Sequence, residues 1–199
     1  MLIGLNNRHT ILLVAILLSS LALSCSTITS PPPEEGASYP TEALKFVRIG
    51  SRGPGVGPGL LARPLGADMP SVSDTIKAAE GGELQMVYNN GQVNLTFTLQ
   101  IPAGALSEDR EIKMGLVSEE YLIVGLEPDG TRFNIPVKLS VKADSLDLSD
   151  REEESIQIYW YNPETKLWEP QKAQVDINDS LDGMDSEIEL EHFSIYAWA

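Results

Sequence analysis

Sulfur and imidazole are nearly missing from this chain: its 199 residues include one cysteine, Cys25, and two histidines, His9 and His192. A lone cysteine forms no internal disulfide, and so few soft ligands leave no set for a structural zinc site. An acyl-transfer triad needs an imidazole base, so His192 admits one arrangement at most, and the sequence holds no Gly-x-Ser-x-Gly nucleophile elbow. Basic residues are scarce too, 14 Lys and Arg against 29 Asp and Glu, for a formal charge of −15. An acidic surface of this kind argues against nucleic-acid binding and is repelled by anionic lipid head groups. Sustained helical periodicity is absent, and so is any internal repeat, which argues against bundles and solenoids.

The one long apolar run lies at the start. Ile11 to Leu18 is wholly apolar, Leu21 to Leu23 extends it, and Arg8 precedes it. A membrane span needs about 20 apolar residues, so the run is short for a permanent anchor and has the length of a signal-peptide core. It closes on Leu21-Ala22-Leu23-Ser24-Cys25. This stretch resembles the lipobox of bacterial lipoproteins, with Ala22 where that family usually has leucine. The resemblance implies cleavage before Cys25 and a diacyl or triacyl cysteine, which supplies the two lipid signals that stable anchoring takes. Cleavage would remove Arg8 and no acidic residue, so 14 basic side chains fall to 13 against 29 acidic ones, a formal charge of −16.

Residues 1–24 are thus expected to be a lipoprotein signal peptide and residues 25–72 a lipidated cysteine followed by a tether. Ser26 to Glu42 carries Pro31-Pro32-Pro33, two glutamates and small polar residues, with little to bury. Phe46, Val47 and Ile49 have the composition of a short strand. From Gly50 to Gly66, glycine and proline recur at nearly every second position, a density that no regular element survives. A phosphate-cradling loop there would need a flanking strand and helix, which the sequence does not supply; a spacer packed on the domain's edge is the expectation.

From residue 73 to residue 199 the pattern changes. Val93, Leu95, Phe97, Leu99 and Ile101 alternate with polar residues, the period of a strand with one buried face. Pro102 and Gly104 end it. Leu84, Met86 and Tyr88 alternate before it, and Asn90-Gly91 between the two runs is a hairpin signal. Ile112, Met114 and Leu116 follow, then Tyr121 to Leu126, and then Phe133, Ile135, Val137, Leu139 and Val141, with Pro136 marking an edge or a bulge. Leu146 to Glu154 reads as acidic linker. Ile156 to Trp160, Leu167-Trp168, Val175-Ile177 and Glu187 to Ala199 complete about eight short strands. Turn signals every ten or so residues predict an all-β, antiparallel β-sandwich in a single domain.

Three pieces of that domain line up in order. Ile101-Pro102-Ala103-Gly104-Ala105-Leu106 follows the long strand and Gly81-Gly82; Pro128-Asp129-Gly130 precedes Phe133 and Pro136-Val137; His192-Phe193-Ser194-Ile195-Tyr196 closes the chain. This order resembles the ZU-five domain of zonula-occludens protein, netrin receptors and ankyrins, over roughly residues 76–199. The resemblance implies a β-sandwich. The eukaryotic neighbours of that domain are absent, so adaptor and spectrin-binding roles do not carry over.

Two places carry candidate chemistry. Asp176, Asn178, Asp182 and Asp185 crowd one turn, and oxygen-rich loops suit calcium. They miss the EF-hand register, however, since the sixth position from Asp176 is Leu181 rather than glycine. A solvated hairpin turn with Asp182-Gly183 at its tip is the expectation, and no metal site is assigned. The second place is His192-Phe193-Ser194. Ile188 and Leu190 put even positions inward, whereas Phe193, Ile195 and Ala197 are apolar at odd positions and Tyr196 and Trp198 at even ones, so a bulge or two-sided burial is expected near His192. The first account of this tripeptide is a strand end with Phe193 in the core. The second comes from the resemblance, since some ZU-five domains cut themselves between Phe and Ser of this tripeptide. His192 would then take the Ser194 hydroxyl proton, and attack on the Phe193 carbonyl would give an ester that water hydrolyses. Trp160, Trp168 and Trp198 are expected in the core rather than as exposed glycan stackers.

The sequence thus predicts a lipid-anchored protein of the bacterial cell envelope, on the exported side of the membrane. It displays one acidic sandwich with no metabolic activity, no cofactor and no committed catalytic residue. Its expected partners are the membrane, through Cys25, and an envelope protein or polymer.

Overall fold

The computed structural model describes residues 37–50, 65, 69–149 and 156–199. The expected signal peptide, Cys25, and residues 51–64 and 66–68 of the Gly/Pro-rich stretch lie outside them. The described residues form eleven strands: β1 (Ser71–Ile76), β2 (Gly82–Asn89), β3 (Asn94–Ile101), β4 (Arg110–Leu116), β5 (Ile123–Glu127), β6 (Arg132–Asp144), β7 (Ile158–Asn162), β8 (Leu167–Pro170), β9 (Ala173–Ile177), β10 (Gly183–His192) and β11 (Ile195–Trp198). They build two antiparallel sheets, one ordered β1-β4-β5-β11-β7-β8 and the other β2-β3-β6-β10-β9. The architecture is the all-β sandwich that the alternating patterns predict. Beyond the expected runs stand β1, which buries only Ile76, and the division of the last run, Glu187 to Ala199, into β10 and β11; β9, expected at Val175-Ile177, buries none of its residues fully. An edge strand with little to bury shows little alternation.

The core follows from the period of two. Leu95, Phe97, Leu99 and Ile101 of β3 point inward with Val137, Leu139 and Val141 of β6 and Met184, Ile188 and Leu190 of β10. They meet Ile112, Met114 and Leu116 of β4 and Tyr196 and Trp198 of β11 from the opposite sheet. Ser186 is the polar exception on β10; its hydroxyl accepts the Trp198 indole N–H at 2.8 Å, so the buried pair is satisfied. Trp168 is also fully buried, whereas Trp160 is half-buried.

The described residues before residue 73 are packed against the sandwich rather than serving only as a spacer. Phe46, Val47 and Ile49 are buried. Val47 N–H donates to Trp198 O, Leu122 N–H to Val47 O and Ile49 N–H to Glu120 O, each at 2.8 Å. Phe46 lies edge-on to Trp168, with ring centroids 5.4 Å apart, and Tyr39 edge-on to Tyr159 at 5.8 Å. With Leu65 they cover a second apolar cluster on the outer face of the six-stranded sheet, made by Val117, Ile123, Tyr159, Trp168 and Ala197. The middle of that sheet is therefore covered on both faces, which is why β5, β7 and β11 read as continuous apolar runs rather than alternations. The start of the expected acidic linker is likewise packed: Leu146 and Leu148 are buried and bond through their N–H groups to Asp182 O and Leu181 O.

β6 departs from its pattern at one end. Ile135 is 43% exposed. Its ladder to β3 stops at Lys138, and its register to β10 shifts between Leu190 and His192, so Pro136 falls where regular pairing has ended. Proline tolerates that position because no ladder partner needs its missing N–H.

Candidate functional site

Two chain crossings between the sheets stand side by side, and the space between them is the candidate site. The first is the passage from β10 to β11 at His192-Phe193-Ser194. The chain leaves one sheet and joins the other here, and a bulge marks the turn, as at the corners of other sandwiches. Both features expected near His192 are present: the register shift, and burial on both faces from Tyr196 to Trp198. Phe193 is fully buried, edge-on to Phe133 with ring centroids 4.7 Å apart. Its N–H donates to Thr131 O at 2.8 Å, and its carbonyl accepts from Gly130 N–H at 2.9 Å. Ser194 O accepts from Leu126 N–H at 2.9 Å. The turn Pro128-Asp129-Gly130 thus seals the corner. Gly81 similarly touches the Ile101–Ala103 backbone so closely that a Cβ would sit 2.3 Å from Ile101 O; its φ of +71° also suits glycine.

The His192 imidazole is turned toward aromatic neighbours. Its ring lies 4.8 Å from Trp160, edge-on, and 6.5 Å from Tyr196, nearly parallel. The Tyr196 hydroxyl donates to His192 O at 2.9 Å. Burial, reinforced by the charges of Asp129 and Glu191, pushes the Tyr196 hydroxyl pKa well above its ordinary value, so this donor keeps its proton. Among the described residues no hydrogen bond joins the imidazole to Ser194.

The second crossing runs from β8 to β9 through Gln171 and Lys172. The β9 ladder on β10 covers Met184 to Ile188 and stops at Ala173. There the chain turns away toward β8, tied by Gln171 N–H to Ile158 O at 2.8 Å. Glu189 to His192 therefore have β6 on one side and no ladder partner on the other, among the described residues. The divergence opens a groove of about 750 Å³, lined by Pro170 to Gln174 on one wall and by Glu187, Glu189, Leu190, Glu191, His192, Pro136 and Tyr196 on the other. Its volume is that of a small-ligand site. Three outward glutamates on alternate positions make it acidic, with Lys172 across from them. Lys138 binds Glu187 at 2.8 Å, and that hydrogen bond and charge raise the lysine's pKa.

Neither a protein-family model nor a curated protein sequence matches this chain.

The other candidate residues are placed differently. Asn178 closes the β9–β10 turn by itself: its side-chain oxygen accepts from Asp182 and Gly183 N–H at 3.1 Å, and its amide donates to the Asp182 carboxylate at 2.7 Å. Asp176 and Asp185 face each other one strand apart, and Asp176 accepts from Gln174 at 2.7 Å. The turn brings Asn178 and Asp182 together, and among the described residues no group of three His, Cys, Asp or Glu is arranged to hold a metal ion. Nor, among them, is any helix long and apolar enough to cross a membrane. Lys172, Tyr196 and the glutamate row were missed as a groove. The alternation of Glu187, Glu189 and Glu191 is visible in the sequence, but the early end of β9 beside them is not.

Proposed function

We propose that this protein is a lipid-anchored component of the bacterial envelope whose acidic, ZU-five-like sandwich serves as an interaction module. The apolar run ending at Cys25 supports the anchor, and the Pro-rich stretch after it supports a tether. The observation that carries the binding role is the groove between the two crossings, concave and bordered by the end of β10, which among the described residues has no ladder partner on its groove side. Its partner is an envelope protein or polymer.

Two measurements in cells test the reading. Cys25→Ser should abolish acyl mass and move the protein from the membrane to the soluble fraction. A photo-crosslinking amino acid in place of Gln171, on the groove wall, should form a discrete adduct that one in place of Gln85, on β2, does not. Membrane retention of Cys25→Ser without lipid, or equal crosslinking at both positions, would overturn it.

A second reading, self-cleavage between Phe193 and Ser194, has one observation for it, although among the described residues no hydrogen bond joins the His192 imidazole to Ser194. The Phe193 carbonyl accepts a hydrogen bond from Gly130 N–H, a donor of the kind that stabilises a developing oxyanion.

A further inference from the structure

We propose that the open edge of β10 at Glu189–His192 takes an extended polypeptide segment with a basic residue at every second position, added as a strand beside β10. The inference rests on the interaction reading above and deepens it by naming the class of partner. A strand edge that ends its ladder early presents main-chain donors and acceptors to any extended chain that can reach them. Here the edge does not face open solvent. It forms one wall of a groove about 750 Å³ in volume, and the other wall is the β8–β9 crossing. An incoming strand would therefore be held on two sides.

The side chains select what enters. Successive residues of a strand point to opposite faces. Glu189 and Glu191 point outward while Leu190 between them is buried. Directly opposed cross-strand pairs interact strongly enough to choose between like and unlike charge. A strand placed beside Glu189 to His192 therefore meets carboxylates on its outer face at every second residue. Lys or Arg there is matched, and Asp or Glu is repelled. Glu187, one step further along, already has Lys138 as its counter-ion at 2.8 Å. Glu189 stands directly across from Lys138 in the β6–β10 register and shares its field, so the least compensated carboxylate on this edge is Glu191, where β9 has ended. On the inner side the segment meets Tyr196 and Leu190, so its alternate residues should be apolar.

The probe is a fluorescein-labelled, capped hexapeptide of alternating lysine and valine, titrated by anisotropy against the full chain in neutral detergent. The wild type should bind it and should not bind the glutamate–valine counterpart. The double variant Glu189→Lys, Glu191→Lys changes only exposed side chains; it sets a lysine opposite Lys138 and so should stay folded with a slightly lower melting temperature, yet bind at least tenfold more weakly. A control with the reversals at the opposite edge of the sandwich, Asp74→Lys with Glu83→Lys, should keep wild-type affinity. A lysine–valine peptide N-methylated at alternate amides keeps its charge, loses its ladder donors, and should also bind at least tenfold more weakly. No binding at millimolar peptide, equal loss in the control variant, or undiminished binding of the N-methylated peptide would each overturn strand addition. If strand addition fails while the Gln171 crosslink still forms, the interaction reading survives alone; if the crosslink is blank as well, both fall.

Discussion

The two crossings differ in how their backbone is satisfied, and that difference separates a sealed corner from an open groove. At His192-Phe193-Ser194 the chain changes sheets within the core. Phe193 is fully buried, and both its N–H and its carbonyl are bonded to the β5–β6 turn. A buried peptide group without a partner costs free energy comparable to a lost hydrogen bond, so a corner placed there must be closed by its neighbours. At Gln171-Lys172 the chain changes sheets in contact with water. Gln171 is half-buried, Lys172 exposed, and one backbone bond to Ile158 holds the passage. The Gln171 side-chain amide donates to its own neighbours, Glu169 O at 3.1 Å and Pro170 O at 3.2 Å, so this exposed crossing stands away from β10 and leaves a groove.

The comparison is broken if the two crossings tolerate substitution equally. Phe193→Ala should destabilise the domain by about 3–5 kcal/mol, the cost of emptying a large aromatic site in a packed core. Lys172→Ala should stay within about 0.5 kcal/mol, as surface changes do. Urea denaturation of the two variants reads the difference directly.

A smaller effect tests whether the β11 side of the sandwich depends on the segment that precedes the strands. Ile49 is buried at the end of the core and Val47 exchanges backbone bonds with Leu122 and Trp198. Ile49→Ala should cost about 2–4 kcal/mol. A loss below about 0.5 kcal/mol in the same assay would return residues 39–50 to the role of spacer.

The parts legible in the sequence are those whose physics is local. The alternation of Leu95 to Ile101 predicts β3 and its buried face, and Asn90-Gly91 marks the hairpin before it. The shift of parity near His192 predicts the bulge because a strand that changes sheets must change which residues face inward. Phe46, Val47 and Ile49 were legible as a short apolar run, but not the surface that Phe46 and Tyr39 cover, since so short a run does not say which sheet it packs against. The groove was hidden for a different reason. It exists because β9 ends at Ala173 while β10 runs four residues further, and no residue of either strand carries the length of the other.

The β9–β10 turn is a milder test of the open side. Asn178 spans it with three side-chain hydrogen bonds at an exposed position. Asn178→Ala should cost about 1 kcal/mol, since solvent replaces much of what is lost. Millimolar calcium should shift the melting temperature by less than about one degree, because the Asn178 amide already occupies the Asp182 carboxylate and no calcium cage is assembled around it. A rise of several degrees, abolished by Asp182→Ala, would make this turn a calcium site.

The smallest expected effect returns to the sealed corner. Cleavage between Phe193 and Ser194 requires the serine hydroxyl to lose its proton as it attacks the Phe193 carbonyl. Gly130 N–H is placed to stabilise the oxyanion, but the base is placed elsewhere. The His192 ring lies against Trp160, and the Tyr196 hydroxyl anchors the His192 carbonyl from the same side. A candidate base must come within hydrogen-bond reach of the proton it takes, and among the described residues no hydrogen bond joins the His192 imidazole to Ser194. The expected result is one mature chain running to Ala199, with the same mass in wild type and Ser194→Ala apart from the substituted atom, after days of incubation under native conditions. Denaturing mass spectrometry checks this. A wild-type product ending at Phe193, absent from Ser194→Ala, would show that the corner opens far enough to react and that its seal is incomplete.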